Sequence, residues 1–181
     1  MTKILVPLAQ GLEEIEAITI IDILRRGGAE VVTVGLDSKT ITGSHNITIL
    51  ADELLAEVTE IDFDGIVLPG GMPGTLHLKN DVRIIEIIKK LHIDGKLIAA
   101  ICAAPMVLFE AGILFGKKFT IHPGTRNEVP LKSEITQVVE DGNIVTGQAS
   151  GAATIFALTV VKKLFGQKKM DEVNTGVCYK L

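Results

Sequence analysis

Three short runs of the chain are apolar at nearly every position: Ile4-Leu5-Val6-Pro7-Leu8, Gly65-Ile66-Val67-Leu68 and Leu97-Ile98-Ala99-Ala100-Ile101. A strand with one wet face alternates apolar and polar residues, so a run without alternation predicts a strand covered on both faces, as in a parallel sheet. Helical patterns separate the runs. Within residues 13–26, Ala17, Ile21 and Leu24 recur at four- and three-residue steps, and Ile20 widens the stripe. Acids crowd the first turns of that helix, Arg25-Arg26 close it and Gly27-Gly28 stop it. Residues 31–35 predict a further strand, 81–91 a helix that Asn80 can cap, 103–111 a helix and 152–164 the last long one. Residues 40–50, with Thr and Ile around Gly43-Ser44-His45-Asn46, predict a hairpin. Residues 135–140 and 143–145, joined by Asp141-Gly142, predict another, and 54–58 a short amphipathic turn. The alternation implies an α/β fold, a flavodoxin-like sandwich with a mostly parallel sheet covered by helices on both faces. Ligands are then expected at the carboxyl ends of the strands.

Composition narrows the function. A chain of 181 residues fits one domain spanning 1–181, and 47% apolar residues exclude wholesale disorder. A net charge of −4 gives no electrostatic footprint for nucleic acid. Two cysteines, Cys102 and Cys178, make neither a disulfide scaffold nor a Cys-based zinc site. The opening apolar run is too short for a signal-peptide core, so a cytoplasmic setting with free thiols is expected. Residues 142–161 carry no charge over a membrane-spanning length. Asn143, Gly147, Gln148, Ser150 and Gly151 interrupt them, which predicts a strand, a turn and a buried helix rather than a membrane span. No GxGxxG or Walker A spacing exists, so nucleotide binding has no support.

Chemistry concentrates at Leu97-Ile98-Ala99-Ala100-Ile101-Cys102-Ala103-Ala104-Pro105. A strand ends at a cysteine, small residues flank it, and Pro105 suits an early helical position. This is the pattern of a nucleophile elbow, with the thiol near a helix N-terminus that favours thiolate. A buried cysteine serving as a small hydrophobe is the alternative. Three features favour reactivity. Glu16, at the edge of the apolar stripe, can point partly inward, hold a raised pKa and move a proton, whereas Glu13 and Glu14 read as a solvated first turn. Leu68-Pro69-Gly70-Gly71-Met72-Pro73-Gly74 lets backbone N–H groups approach a ligand, as an oxyanion hole requires. His122-Pro123 follows the Phe119-Thr120-Ile121 run and can orient Cys102. His45, His77 and His92 have no spacing that predicts a metal site.

The elbow 99–105, the stretch Leu8-Ala9-Gln10-Gly11-Leu12-Glu13-Glu14-Ile15-Glu16, the loop 68–71 and His122-Pro123 together resemble the DJ-1 branch of the DJ-1/ThiJ/PfpI superfamily, over nearly the whole chain. The resemblance implies that Cys102 is the reactive cysteine, Glu16 a protonated glutamate on its sulfur, His122 the nearby histidine, and Gly71 and Ala103 the positions whose N–H groups face the site. It implies a homodimer with its interface near the site, Arg26 close to that interface, and no metal or organic cofactor. The implied activity is glyoxalase or deglycase chemistry on a small 2-oxoaldehyde or on glycated groups. Redox sensing or chaperone action through oxidation of Cys102 is the alternative. Ala104 stands where many members carry glycine, and His45 where some have arginine. Ala103 follows the cysteine where the protease-like branch has histidine, which argues against peptidase activity. The absence of a downstream His-x-Glu argues against a glutamine amidotransferase.

Overall fold

The computed structural model describes residues 1–58 and 63–179. The strands are β1 (Lys3–Leu8), β2 (Glu30–Gly35), β3 (Thr40–Thr42), β4 (Thr48–Leu50), β5 (Glu53–Leu54), β6 (Gly65–Leu68), β7 (Leu97–Ile101), β8 (Val138–Asp141) and β9 (Ile144–Gly147). The helices are α1 (Glu14–Arg26), α2 (Gly74–Asn80), α3 (Val82–Ile93), α4 (Pro105–Glu110), α5 (Ala153–Phe165) and α6 (Gln167–Val177). One sheet runs in the order β5-β2-β1-β6-β7-β9-β8, while β3 and β4 form a separate hairpin. Every ladder of the large sheet is parallel except β8 with β9. The expected α/β sandwich with a mostly parallel sheet is present.

The uninterrupted apolar strands are explained by cover on both faces. In β1, Ile4, Val6 and Leu8 join the core under α1, α5 and α6, while Leu5 joins the core under α3 and α4. In β7, Leu97, Ala99 and Ile101 face the first layer and Ile98 and Ala100 the second. The chain leaves β1 through α1 to β2 on one side, then returns to β6 on the other. The carboxyl ends of β1, β6 and β7 therefore border the crevice where the winding reverses, the usual ligand position in such sheets.

Several local expectations change. Asp81, not Asn80, caps α3, its side chain accepting from the Arg83 N–H at 2.9 Å, while Asn80 ends α2. Arg83 clamps the same Asp81 carboxylate and holds it below its ordinary range. Neither α2 nor α6 is legible in the apolar pattern. α2 is seven residues long behind a Gly/Pro-rich turn, and α6 buries only Met170 and Val173. Residues 54–58 split into the end of β5 and a 3-10 turn, Leu55–Glu57. The second hairpin turns at Gly142, with φ +60°, and Asn143, so β8 starts later and β9 ends later than the pattern predicts. The uncharged run 142–161 is indeed a strand, a turn and a helix with a buried face. Among the described residues no helix is long and apolar enough to cross a membrane.

Candidate active site

Cys102 sits at the turn from β7 into α4 with φ +64°, the left-handed region that non-glycine residues occupy at a cost of roughly 1–3 kcal/mol. Two backbone hydrogen bonds hold it there. Its N–H donates to the Gly147 carbonyl at 2.9 Å, and its own carbonyl accepts from the His122 N–H at 2.8 Å. The turn needs small neighbours because three segments converge on it. A Cβ on Gly70 would lie 2.7 Å from both the Cys102 Cβ and the Glu16 Oε2. A Cβ on Gly147 would lie 2.8 Å from the Ile101 side chain. Ala103 and Ala104 are buried against the same turn. Cys102 itself is only partly buried, and it is a free thiol.

Glu16, on the first turn of α1, is fully buried. Its Oε2 accepts from the Gly70 N–H at 2.8 Å, and its carboxyl hydrogen-bonds the Cys102 thiol. Oε1 is buried with no hydrogen-bond partner. Burial pushes this carboxyl up to about 7, against the opposing pull of the Gly70 amide and the Cys102 contact, with the Glu13 charge adding to the push. A buried carboxyl with one amide on it and its second oxygen left without a partner is least costly when it carries a proton.

The thiol does not follow the expectation of a helix N-terminus that lowers its pKa. Burial, the charge of ionised Glu16 and the hydrogen bond to it push Cys102 up to about 12, while the Ala103 and Gly71 amides pull it down. α4 has only six residues, so its dipole is short. The two groups form one unit, because thiolate and carboxylate side by side repel. Once Glu16 holds its proton, its charge no longer opposes the thiolate and its O–H can donate to sulfur. The neighbouring Glu16 and burial, rather than a helix dipole, dominate the electrostatics of the sulfur.

The remaining expected residues meet the site in different ways. The Gly71 and Ala103 amides both hydrogen-bond the sulfur. Gly71 has φ +94°, and a side chain there would run into the Leu12–Glu13 backbone. His122 reaches the elbow through its main chain. Its ring caps the following 3-10 turn, Nδ1 accepting from the Gly124 N–H at 3.0 Å, which places the proton of the neutral ring on Nε2. Cys178 is exposed at the C-terminal cap of α6.

Glu14 departs from the sequence reading. It is not solvated but 4% exposed. Its carboxylate accepts from the N–H groups of His45 at 2.7 Å and Ile47 at 3.3 Å, the Ser44 hydroxyl at 3.4 Å and the His45 Nδ1 at 3.1 Å. Burial alone raises its pKa, but these donors and its own amide outweigh that and hold it at about 2. Gly43 marks how closely the hairpin covers it, since any side chain there would strike the Glu14 carboxylate.

The DJ-1/PfpI family model matches residues 2–163. Protein DJ-1 homolog B of Arabidopsis thaliana is 40% identical over 176 residues, 95% of this chain, and the chain spans 40% of that plant protein's length. A protein named deglycase from Pyrococcus abyssi is 32% identical over 167 residues, 90% of this chain and 99% of that one. The solved structure of oxidized Toxoplasma gondii DJ-1 matches with a TM-score of 0.96 and 35% identity, covering 100% of both chains. With its sheet order, its strained cysteine elbow and these matches in agreement, the chain belongs to the DJ-1/PfpI family.

Proposed function

We propose that the protein is a cysteine-dependent enzyme acting on small 2-oxoaldehydes or their adducts, of the glutathione-independent glyoxalase or deglycase type. The observation that carries this reading is the pairing of Cys102, at φ +64°, with a buried carboxyl poised at about 7. The thiol adds to the aldehyde carbon. A carbon–sulfur bond forms, the carbonyl π pair moves to oxygen and the thiol proton ends there, giving a hemithioacetal. The Gly71 and Ala103 amides stabilise the negative charge as it develops. A carboxyl near 7 is present in both protonation states at neutral pH, so Glu16 serves as base and then acid. It removes the proton from the former aldehyde carbon and returns one to the adjacent ketone carbon, while the hydroxyl proton passes to the neighbouring oxygen. The product is a 2-hydroxyacyl thioester. Water cleaves its carbon–sulfur bond, releasing a 2-hydroxy acid and restoring the thiol. His122 holds the elbow by its backbone. The balance needs only water, and the name of the Pyrococcus relative supports the adduct-cleaving variant.

The test is lactate formation from methylglyoxal by wild type and Cys102→Ser. The variant is expected to lose at least about 10³-fold, as removal of a nucleophile does. Equal rates overturn the mechanism. A second reading, oxidation sensing, is supported by the same donors, which suit a sulfinate as well as an oxyanion, and by the oxidized state described for the Toxoplasma relative. Selective gain of two oxygens at Cys102 under mild peroxide, with no aldehyde turnover, favours it over the enzyme.

We also propose a homodimer. Ile15, Ile18, Ile47 and Leu50 are 59%, 48%, 56% and 74% exposed on the outer sides of α1 and the β3–β4 hairpin. Such an apolar surface fits a self-complementary contact. Sedimentation of Leu50→Glu should show a larger monomer fraction than wild type; identical profiles place the contact elsewhere.

A further inference from the structure

We propose that Glu14 is a positioning residue for Cys102: it anchors the β3–β4 hairpin, and the hairpin fixes the glycine turn that presents the Gly71 amide to the sulfur. Three sets of contacts link the two ends. The Glu14 carboxylate gathers donors from Ser44, His45 and Ile47, on one side of the hairpin turn. The hairpin in turn grips the loop ahead of α1. The Gly11 N–H donates to the Thr42 carbonyl and the Ser44 N–H to the Leu12 carbonyl, both at 2.8 Å, while the Gln10 side chain bonds both the Thr42 N–H and the Thr40 carbonyl. That loop is then locked to the glycine turn. The Glu13 N–H donates to the Gly70 carbonyl at 2.9 Å and the Gly74 N–H to the Gly11 carbonyl at 3.2 Å. Gly11 and Gly71 are so close to Pro73 and to Leu12–Glu13 respectively that no side chain fits at either position. The Leu12–Glu13 backbone is thus held between hairpin and glycine turn, and a shift of one carries the other.

Glu14 suits the task better than a metal would suit the same place. Ligand atoms of Glu13, Glu14 and His45 lie within 4.8 Å of one another, but the Glu14 oxygens are already occupied by backbone and side-chain donors. Its ionised state is what makes several donors converge on two oxygens. An amide in its place offers one acceptor oxygen and turns an N–H₂ group against the incoming N–H groups.

The readout is the alkylation rate of Cys102 by iodoacetamide against pH, in a Cys178→Ser background. It requires no aldehyde turnover, so it stands or falls separately from the proposed activity. In Glu14→Gln, shown by circular dichroism to be folded, the alkylation rate at pH 7 should fall about tenfold and the apparent Cys102 pKa should rise, as expected for losing one donor to a thiolate. A folded variant with an unchanged pH profile overturns the proposal. If Glu14→Gln does not fold, His45→Ala decides, since it removes one donor and keeps both amides. A shift in the same direction, about two- to threefold, supports the proposal, and an unchanged profile overturns it.

Discussion

Glu14 and Glu16 stand two residues apart on the first turn of one helix, both shielded from solvent, yet one is held at about 2 and the other at about 7. Burial raises both. What separates them is the number of donors aimed at each carboxylate. Glu14 receives the His45 and Ile47 amides, the Ser44 hydroxyl and the His45 ring, whereas Glu16 receives one amide and faces a thiol. Donors that bind the charged form offset desolvation, and their scarcity leaves desolvation in control. The first carboxylate is a fixed anchor. The second, at the sheet's reversal point, keeps a proton that it can give up near neutral pH.

The largest effect that can break this contrast is on turnover. Glu16→Gln keeps an oxygen for the Gly70 N–H but cannot move a proton, so lactate formation should fall by about 10²-fold or more. Unchanged kinetics remove Glu16 from proton transfer. The same substitution should stabilise the fold. With a carboxyl raised from 4.5 to about 7, the folded state binds a proton that the unfolded chain has released, so stability is lost as pH rises through that window. Gln has nothing to titrate. Urea unfolding should therefore show Glu16→Gln more stable above pH 7 by up to about 3 kcal/mol, with the advantage vanishing below pH 4. Equal stabilities at both ends sink the account of Glu16 as a carboxyl held protonated by burial.

Glu14→Gln should act in the opposite direction and by less. Loss of charge-assisted hydrogen bonds should cost about 2 kcal/mol at pH 7. Because the folded pKa is depressed, wild type holds this stability above the ordinary carboxyl range and loses it as pH falls toward about 2. The difference from the variant should narrow over the same range. Parallel curves for the two variants would show that position on the helix, rather than donor count, sets both carboxyls.

The sequence made one member of this pair legible and hid the other for a physical reason. The continuous apolar strands dictated a sheet with two covered faces. The run ending Ile101-Cys102-Ala103-Ala104 located the elbow, because a strand and a helix can meet so sharply only between small residues. Glu16 was readable because it borders the stripe of Ala17, Ile20 and Leu24 on its own helix. Glu14 borders the opposite edge of that stripe, at i, i+3 and i+7 with Ala17 and Ile21, but a helix edge is ordinarily wet, and what buries it is a hairpin some thirty residues further along the chain. Periodicity reports only a helix's own faces, so a carboxylate buried by a distant turn looks solvated. The same limit hid α2 and α6, whose order comes from the contacts they make rather than from any long apolar repeat.

The finest probe of the contrast is His45, whose ring is exposed but bonded to the Glu14 carboxylate at 3.1 Å. That hydrogen bond, together with the Glu13 and Glu14 charges, raises its pKa above the ordinary 6.5. A raised folded pKa means that the imidazolium's contribution is fully present below the unfolded value and disappears as pH rises through the folded one. Solvent screens an exposed group, so the effect on stability should be slight and the direct observable is the ring's own titration. Proton NMR of wild type should show the His45 ring, assigned by its loss in His45→Ala, titrating above the free-histidine range. In Glu14→Gln that resonance should return toward 6.5 because its anionic partner is gone, while in Glu16→Gln it should stay where it was. If it moves equally in both variants, the two carboxyls act on the hairpin through a shared field, and the division between an anchoring and a proton-moving glutamate fails.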